Sequence, residues 1–156
     1  PVQCLQEQLA EELTGIASKY DVPMSRVNLE ITETATTDAG AIRENMKQLL
    51  EYGTTFSLDD YGTGFSNLIN ILKLPLHIVK IDKSIVWSYF NGAGDILPHV
   101  IQMFKNQHLE IVAEGVESQK MADELAHMGC DYEQGFYFSR PIPEKEFLEY
   151  VRKMNS

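Results

Sequence analysis

The sequence predicts an α/β protein built on a parallel sheet. Short apolar runs of strand length alternate with segments of helical periodicity, and the alternation holds from one end of the 156 residues to the other. No low-complexity tract, internal repeat or Pro/Gly/Ser-rich linker interrupts it, so the chain reads as one unit.

The opening stretch carries Val2, Leu5, Leu9, Leu13, Ile16 and Tyr20 at spacings of three or four, the stripe of an amphipathic helix that ends before Pro23. Residues 27–32 alternate, with Val27, Leu29 and Ile31 on one side, and read as a strand. A second helix is expected from an N-cap at Asp38, through Ile42, Met46, Leu49 and Leu50, to a C-terminal glycine at Gly53. Residues 54–59 form the next strand, 67–72 a short helix and 77–82 another strand. Residues 95–107 read as helix through Ile96, Val100 and Phe104, and 109–114 as strand. Residues 118–128 read as helix through Met121 and Leu125, closed by Gly129. A weaker strand signal lies within 131–138, and a last helix after Pro143 carries Phe147, Val151 and Met154.

Such a chain forms right-handed βαβ units, which assemble either as a doubly wound sheet or as a (β/α)8 barrel. The five or six units counted here are too few for a full barrel, which usually takes about 250 residues.

Hydrophobic residues make up 44% of the chain and charged residues 23%, the balance of a globular protein and not of a disordered tail. No apolar run approaches the roughly 18 residues that span a bilayer, and the first residues do not have the pattern of a signal peptide. No membrane contact is therefore expected of this segment. Thirteen basic residues against 23 acidic ones leave a net charge of −10, which repels nucleic-acid polymers. An acidic protein that binds a small phosphate ester needs a metal or a local cation to offset that field. The two cysteines, Cys4 and Cys130, have neither metal-ligand spacing nor a disulfide pattern, which suits a reducing compartment such as the cytoplasm.

The charges at the strand ends are the most informative feature. Glu30 shares a parity with Asn28 and Thr32, opposite Leu29 and Ile31. Asp59 shares one with Ser57, opposite Phe56 and Leu58. Lys80 falls opposite Val79 and Ile81, and Glu114 opposite Ile111 and Ala113. Alternation sends each of these side chains off the helix-facing side, near the C-terminal strand ends where parallel α/β folds gather catalytic groups. Any one of them alone is equally a solvated strand end. Four at equivalent places imply a shared cationic partner, because an unpaired buried carboxylate costs several kcal/mol. Oxygen donors without His or Cys clusters point to Mg²⁺ or Mn²⁺. Two such ions sharing a carboxylate suit phosphodiester hydrolysis, with the lysine orienting water or stabilising charge.

Two further groups follow strands: Asp59-Asp60-Tyr61-Gly62-Thr63-Gly64, where adjacent carboxylates precede two glycines, and Glu114-Gly115-Val116-Glu117. The first is also compatible with a surface turn, and Glu117 with a charge at a helix N-terminus. His77, His99, His108 and His127 are scattered and form no triad. A nucleophile elbow and a dinucleotide fingerprint are both lacking.

These segments, with Leu29-Glu30-Ile31-Thr32-Glu33, Val79-Lys80-Ile81-Asp82 and Gln134-Gly135, occur in the order and spacing of the EAL domain family, and the chain resembles the C-terminal two-thirds of such a domain over residues 1–156. The resemblance implies a (β/α)8 TIM-barrel-like fold, incomplete here, and hydrolysis of cyclic di-GMP to linear pGpG with Mg²⁺ or Mn²⁺. It makes Glu30 and Asp59 ligands of one metal, and Asp59, Asp60 and Glu114 ligands of a second. Lys80 becomes the contact of the attacking water, and Glu33 the residue that steadies the loop after Asp59. Asp82, Glu117 and Gln134 become substrate-binding residues at the same mouth. GGDEF or sensory domains are expected in the parent protein, which a segment elsewhere could anchor to a membrane.

Two departures from the family pattern stand out. Tyr61 replaces a phenylalanine, and the Glu-Ala-Leu strand and the strand with a metal-binding asparagine are not in the sequence. The segment alone is thus expected to be inactive or nearly so. A degenerate domain that binds cyclic di-GMP or a protein without cleaving it is the alternative, against which the intact motifs speak. An apolar open edge at residues 27–32 is expected to favour a homodimer.

Overall fold

The computed structural model describes residues 9–33, 39–64 and 67–154. Val2, Cys4, Leu5 and Asp38 lie outside them, as do the side chain of Ile42 and residues 65–66. The elements are α1 (Leu9–Lys19), β1 (Asn28–Thr32), α2 (Ala39–Glu51), β2 (Thr55–Tyr61), α3 (Leu68–Ile71), β3 (Ile78–Ile81), α4 (Lys83–Phe90), α5 (Ile96–Lys105), β4 (Glu110–Glu114), α6 (Gln119–Met128), β5 (Tyr132–Gln134) and α7 (Glu144–Met154). A 3₁₀ turn, Met24–Arg26, leads into β1.

All the strand pairs are parallel, and the sheet order is β1-β2-β3-β4-β5. That order decides between the two architectures. A doubly wound sheet reverses direction at a switch point, whereas here every crossover advances one strand the same way, as around a barrel.

Alternation places Ile31, Phe56, Leu58, Val79, Ile81, Ile111 and Ala113 on one face, where all are buried in a core with Met46, Leu49, Val86, Leu97, Ile101, Phe104 and Leu125 from the helices. The opposite face carries Asn28, Glu30, Ser57, Asp59, Lys80, Val112 and Glu114.

Three local readings need correction. Helix α4 has no counterpart among the predicted elements: its eight residues, Lys-Ser-Ile-Val-Trp-Ser-Tyr-Phe, show no polar/apolar period. What starts it is Asp82, which follows β3 instead of ending it; its Oδ1 accepts from Ser84 N at 2.8 Å. Strand β2 runs on through Asp60 and Tyr61 because of a bulge described below. The open edge of β1 is polar and not apolar: Asn28 and Glu30 are exposed, while Ile31 is buried among the helices.

Candidate functional site

The C-terminal ends of β1 to β4 converge on one ammonium group. Lys80 Nζ lies 2.6 Å from Asp59 Oδ1, 3.0 Å from Glu114 Oε1 and 3.1 Å from Glu30 Oε1. Register explains the convergence, since Thr32 pairs with Asp59 and Lys80 with Val112 across adjacent strands. The Lys80 side chain is only 14% exposed and Glu30, at the sheet edge, 51%. Burial works against the lysine's charge, but hydrogen bonds to Asp59, Glu114 and Glu30 outweigh it and hold the ammonium well above its ordinary pKa. Among these carboxylates Lys80 is held as a positive charge and hydrogen-bond donor.

Asp60 joins the group through a backbone irregularity. Leu58 pairs with Val79 and Tyr61 with Ile81, so three steps along β2 match two along β3. Asp60 occupies the extra position with φ +57°, left-handed backbone that is costly for a residue with a side chain. In a regular strand Asp59 and Asp60 would point to opposite faces. Here Asp59, Asp60 and Glu114 each bring a carboxylate oxygen within 4.8 Å of the other two, the one such acidic group among the described residues. Beyond the bulge Tyr61 turns back to the core and meets Phe104 edge-on, with ring centroids 4.8 Å apart.

This geometry refines the charge argument. Lys80 is itself the cation shared by Glu30, Asp59 and Glu114, and Asp60 is the carboxylate left over. Desolvation and the neighbouring charges of Asp59, Asp82 and Glu30 raise its pKa, with Lys80 opposing. Four carboxylates against one ammonium leave a local excess of three negative charges (1 − 4 = −3). Hard oxygen donors with that excess fit a divalent cation. Asp59, Asp60 and Glu114 could hold one directly, with Glu30 reaching the same ammonium from the edge strand.

Glu33 is 4% exposed and lies just past β1. Its Oε2 accepts from Gly62 N at 2.9 Å and Gly64 N at 3.0 Å, tying the end of β1 to the turn after β2. Gly62 has φ +109°, and a Cβ there would lie 2.2 Å from Ile85 Cδ1, so this turn requires glycine.

A cavity of about 220 Å³ adjoins the cluster, lined among others by Trp87, Glu114, Glu117, Gln134 and Phe136. Glu117 and Gln134 therefore share a wall with Glu114. Asp82 is not part of that wall; one of its oxygens caps α4 and its charge acts on Asp60. Gly135 lets the segment after β5 approach the turn after β4, since a Cβ there would sit 2.0 Å from Val116 O. Lys83 and Trp87 also line the cavity and had no signal in the sequence beyond following Lys80 closely. Cys130 is half-buried, and burial pushes its thiol up to about 12, so it is unreactive and packs as an apolar residue. No helix among the described residues is long and apolar enough to cross a membrane.

A parallel sheet wound in sequence order, with acidic strand ends gathered around a lysine, defines a TIM-barrel-like α/β protein with a site able to hold metal. The EAL domain family model matches residues 1–141, and the chain belongs to that family. It is 32% identical over 153 residues to the cyclic di-GMP phosphodiesterase RocR of Pseudomonas aeruginosa, a match covering 96% of this chain and 39% of RocR. It is 33% identical over 146 residues to MucR of the same organism, named a bifunctional diguanylate cyclase/cyclic di-GMP phosphodiesterase, covering 92% of this chain and 21% of MucR. The crystal structure of the EAL domain of Mycobacterium smegmatis DcpA superposes with a TM-score of 0.88 at 34% identity, over 98% of this chain and 70% of that one. The chain spans about a fifth to two fifths of the length of RocR and MucR.

Proposed function

We propose that this chain carries the catalytic carboxylates of a cyclic di-GMP phosphodiesterase that hydrolyses one phosphodiester bond of cyclic di-GMP to give linear pGpG. The observation that carries the reading is the convergence of Glu30, Asp59 and Glu114 on Lys80, with Asp60 brought alongside by the bulge. The names of RocR and MucR support the same substrate.

Asp59, Asp60 and Glu114, with Glu30 beside them, would hold Mg²⁺ or Mn²⁺, which would supply Lewis-acid polarisation of the phosphodiester and acidification of water. The chain's own groups do the rest. Lys80 keeps its proton and acts as donor, orienting the attacking water and countering charge on the phosphoryl oxygens. The water oxygen forms the new bond to phosphorus and releases a proton to solvent, the bond from phosphorus to the ribose 3′ oxygen breaks, and that oxygen takes up a proton from solvent, so one water is consumed per bond cleaved. Glu33 acts by position, holding the turn that follows Asp59 and Asp60. Glu117 and Gln134 bind the substrate from the cavity wall, with Asp82 bordering the site through Asp60.

The reading makes this a cytoplasmic signalling enzyme accompanied by GGDEF or sensory domains, which MucR's bifunctional name supports.

The test is formation of pGpG from cyclic di-GMP by the whole protein with Mg²⁺ or Mn²⁺, followed by chromatography. Asp59→Asn is expected to lower turnover at least about 100-fold with the fold intact. Binding of cyclic di-GMP without hydrolysis at saturating metal would overturn the reading in favour of a binding-only domain.

A further inference from the structure

The turn between β4 and α6 follows directly on Glu114, which ends β4 in the acid cluster, and carries Glu117 onto the cavity wall; its backbone is gripped from outside by α4. Gly115 sits at φ +73°, and a Cβ there would come within 2.4 Å of Lys83 Cβ and 3.1 Å of Trp87 Nε1. Lys83 and Trp87 are four residues apart on α4 and hence on the same helix face. Between them they leave a slot that only a bare backbone fits. Trp87 Nε1–H donates to the Gly115 carbonyl at 2.7 Å, and the Lys83 ammonium lies 5.5 Å from the indole centroid. On the other side of the turn, Val116 N donates to Gln134 O at 3.1 Å.

Two hydrogen bonds from opposite directions therefore fix both ends of the single peptide unit that joins Gly115 to Val116, directly after Glu114-Gly115. One extends the pairing of β4 with β5 and the other comes from the Trp87 indole. A phenyl ring could fill the same apolar space against the core but could not reach the carbonyl with a donor.

We infer that Trp87 is a positioning residue of the acid site: its indole N–H holds the Gly115 carbonyl and so sets the Glu114 carboxylate within reach of Asp59 and Asp60. The inference rests on the metal-holding reading above. Outer partners that orient metal ligands typically change metal affinity 10- to 100-fold when removed. Trp87 acts through the Gly115 carbonyl, so its effect is read on metal binding.

The test is Mn²⁺ affinity, read from the free-ion EPR signal without any turnover. Trp87→Phe is expected to weaken Mn²⁺ binding about tenfold while thermal midpoint and circular dichroism stay near those of the parent. Trp87 is the single tryptophan of the 156 residues, so biosynthetic replacement by 7-azatryptophan, which keeps the N–H, acts on it alone in this chain and is expected to restore the affinity. Benzothienylalanine, which has the indole shape without the N–H, is expected to behave as Trp87→Phe does; it remains decisive if that variant is unstable. Unchanged affinity with benzothienylalanine, or loss of it with 7-azatryptophan, overturns the role of Trp87 and leaves the site intact. A parent protein that binds no Mn²⁺ overturns the metal-holding reading and, with it, this inference.

Discussion

Asp60 holds two costs at once: a left-handed backbone at φ +57° and a carboxylate beside Asp59, Asp82 and Glu30. Neither helps folding, which is the signature of a residue kept for its site. Asparagine tolerates left-handed backbone better than most residues and carries no charge. Asp60→Asn is therefore expected to raise stability by about 0.5 kcal/mol without divalent ions, read from the urea midpoint, and to weaken Mn²⁺ binding. A lower midpoint in metal-free buffer would mean that Asp60 stabilises the fold and is not a strained ligand. The same residue marks how far the sequence could be read. Glu30, Asp59, Lys80 and Glu114 were legible because a strand has a period of two, and parity alone puts them on one face. Asp60 breaks that parity through a bulge, which leaves no mark in composition.

Elements were legible where a period runs long enough. Helices α2, α5 and α6 have apolar stripes of ten residues or more in length, and their boundaries fall close to the predicted ones. Helix α4 is too short and too uniformly apolar for a stripe, yet it holds the turn after Glu114. The junction of α5, β4 and β5 shows a different device. Asp131 precedes β5, and its carboxylate accepts from Lys105 Nζ at 2.7 and 2.9 Å and from Ile111 N at 2.7 Å. Partial desolvation works against the Asp131 charge, but Lys105 and the Ile111 amide outweigh it, so the pKa is lowered. A carboxylate with a lowered folded pKa stabilises the fold above its unfolded pKa, about 3.9, and stops doing so as pH falls through the folded value. Asp131→Asn is expected to cost about 1 kcal/mol at pH 7, a modest figure for a pair this close to solvent. The difference in urea midpoint should shrink as pH drops below 4 and stay flat from pH 6 to 8. A constant difference down to pH 3 would assign the effect to packing.

At the scale of the whole molecule, two forces act on the open edge in opposite directions. Among the described residues β1 pairs with β2 alone, and in the 156-residue chain taken by itself the outer row of β1 backbone donors and acceptors is where a second copy would pair. The edge residues Asn28 and Glu30 are exposed and polar, and the chain carries a net charge of −10. Edge pairing of two copies would bring both charges, and both Glu30 side chains, together. Backbone pairing is short-ranged and insensitive to salt, whereas repulsion between exposed charges is screened over about 10 Å at 0.1 M and about 3 Å at 1 M. Association is therefore expected to be weak at low ionic strength and to strengthen as salt rises, the reverse of a contact held by ion pairs. Multi-angle light scattering should show the mean mass climbing with protein concentration, more steeply in 0.5 M than in 0.05 M NaCl by our expectation. Amide hydrogen exchange in β1 should slow in parallel. A single monomer mass across both salt concentrations would refute edge pairing, and a mass that falls with salt would move the contact from the strand edge to charged side chains.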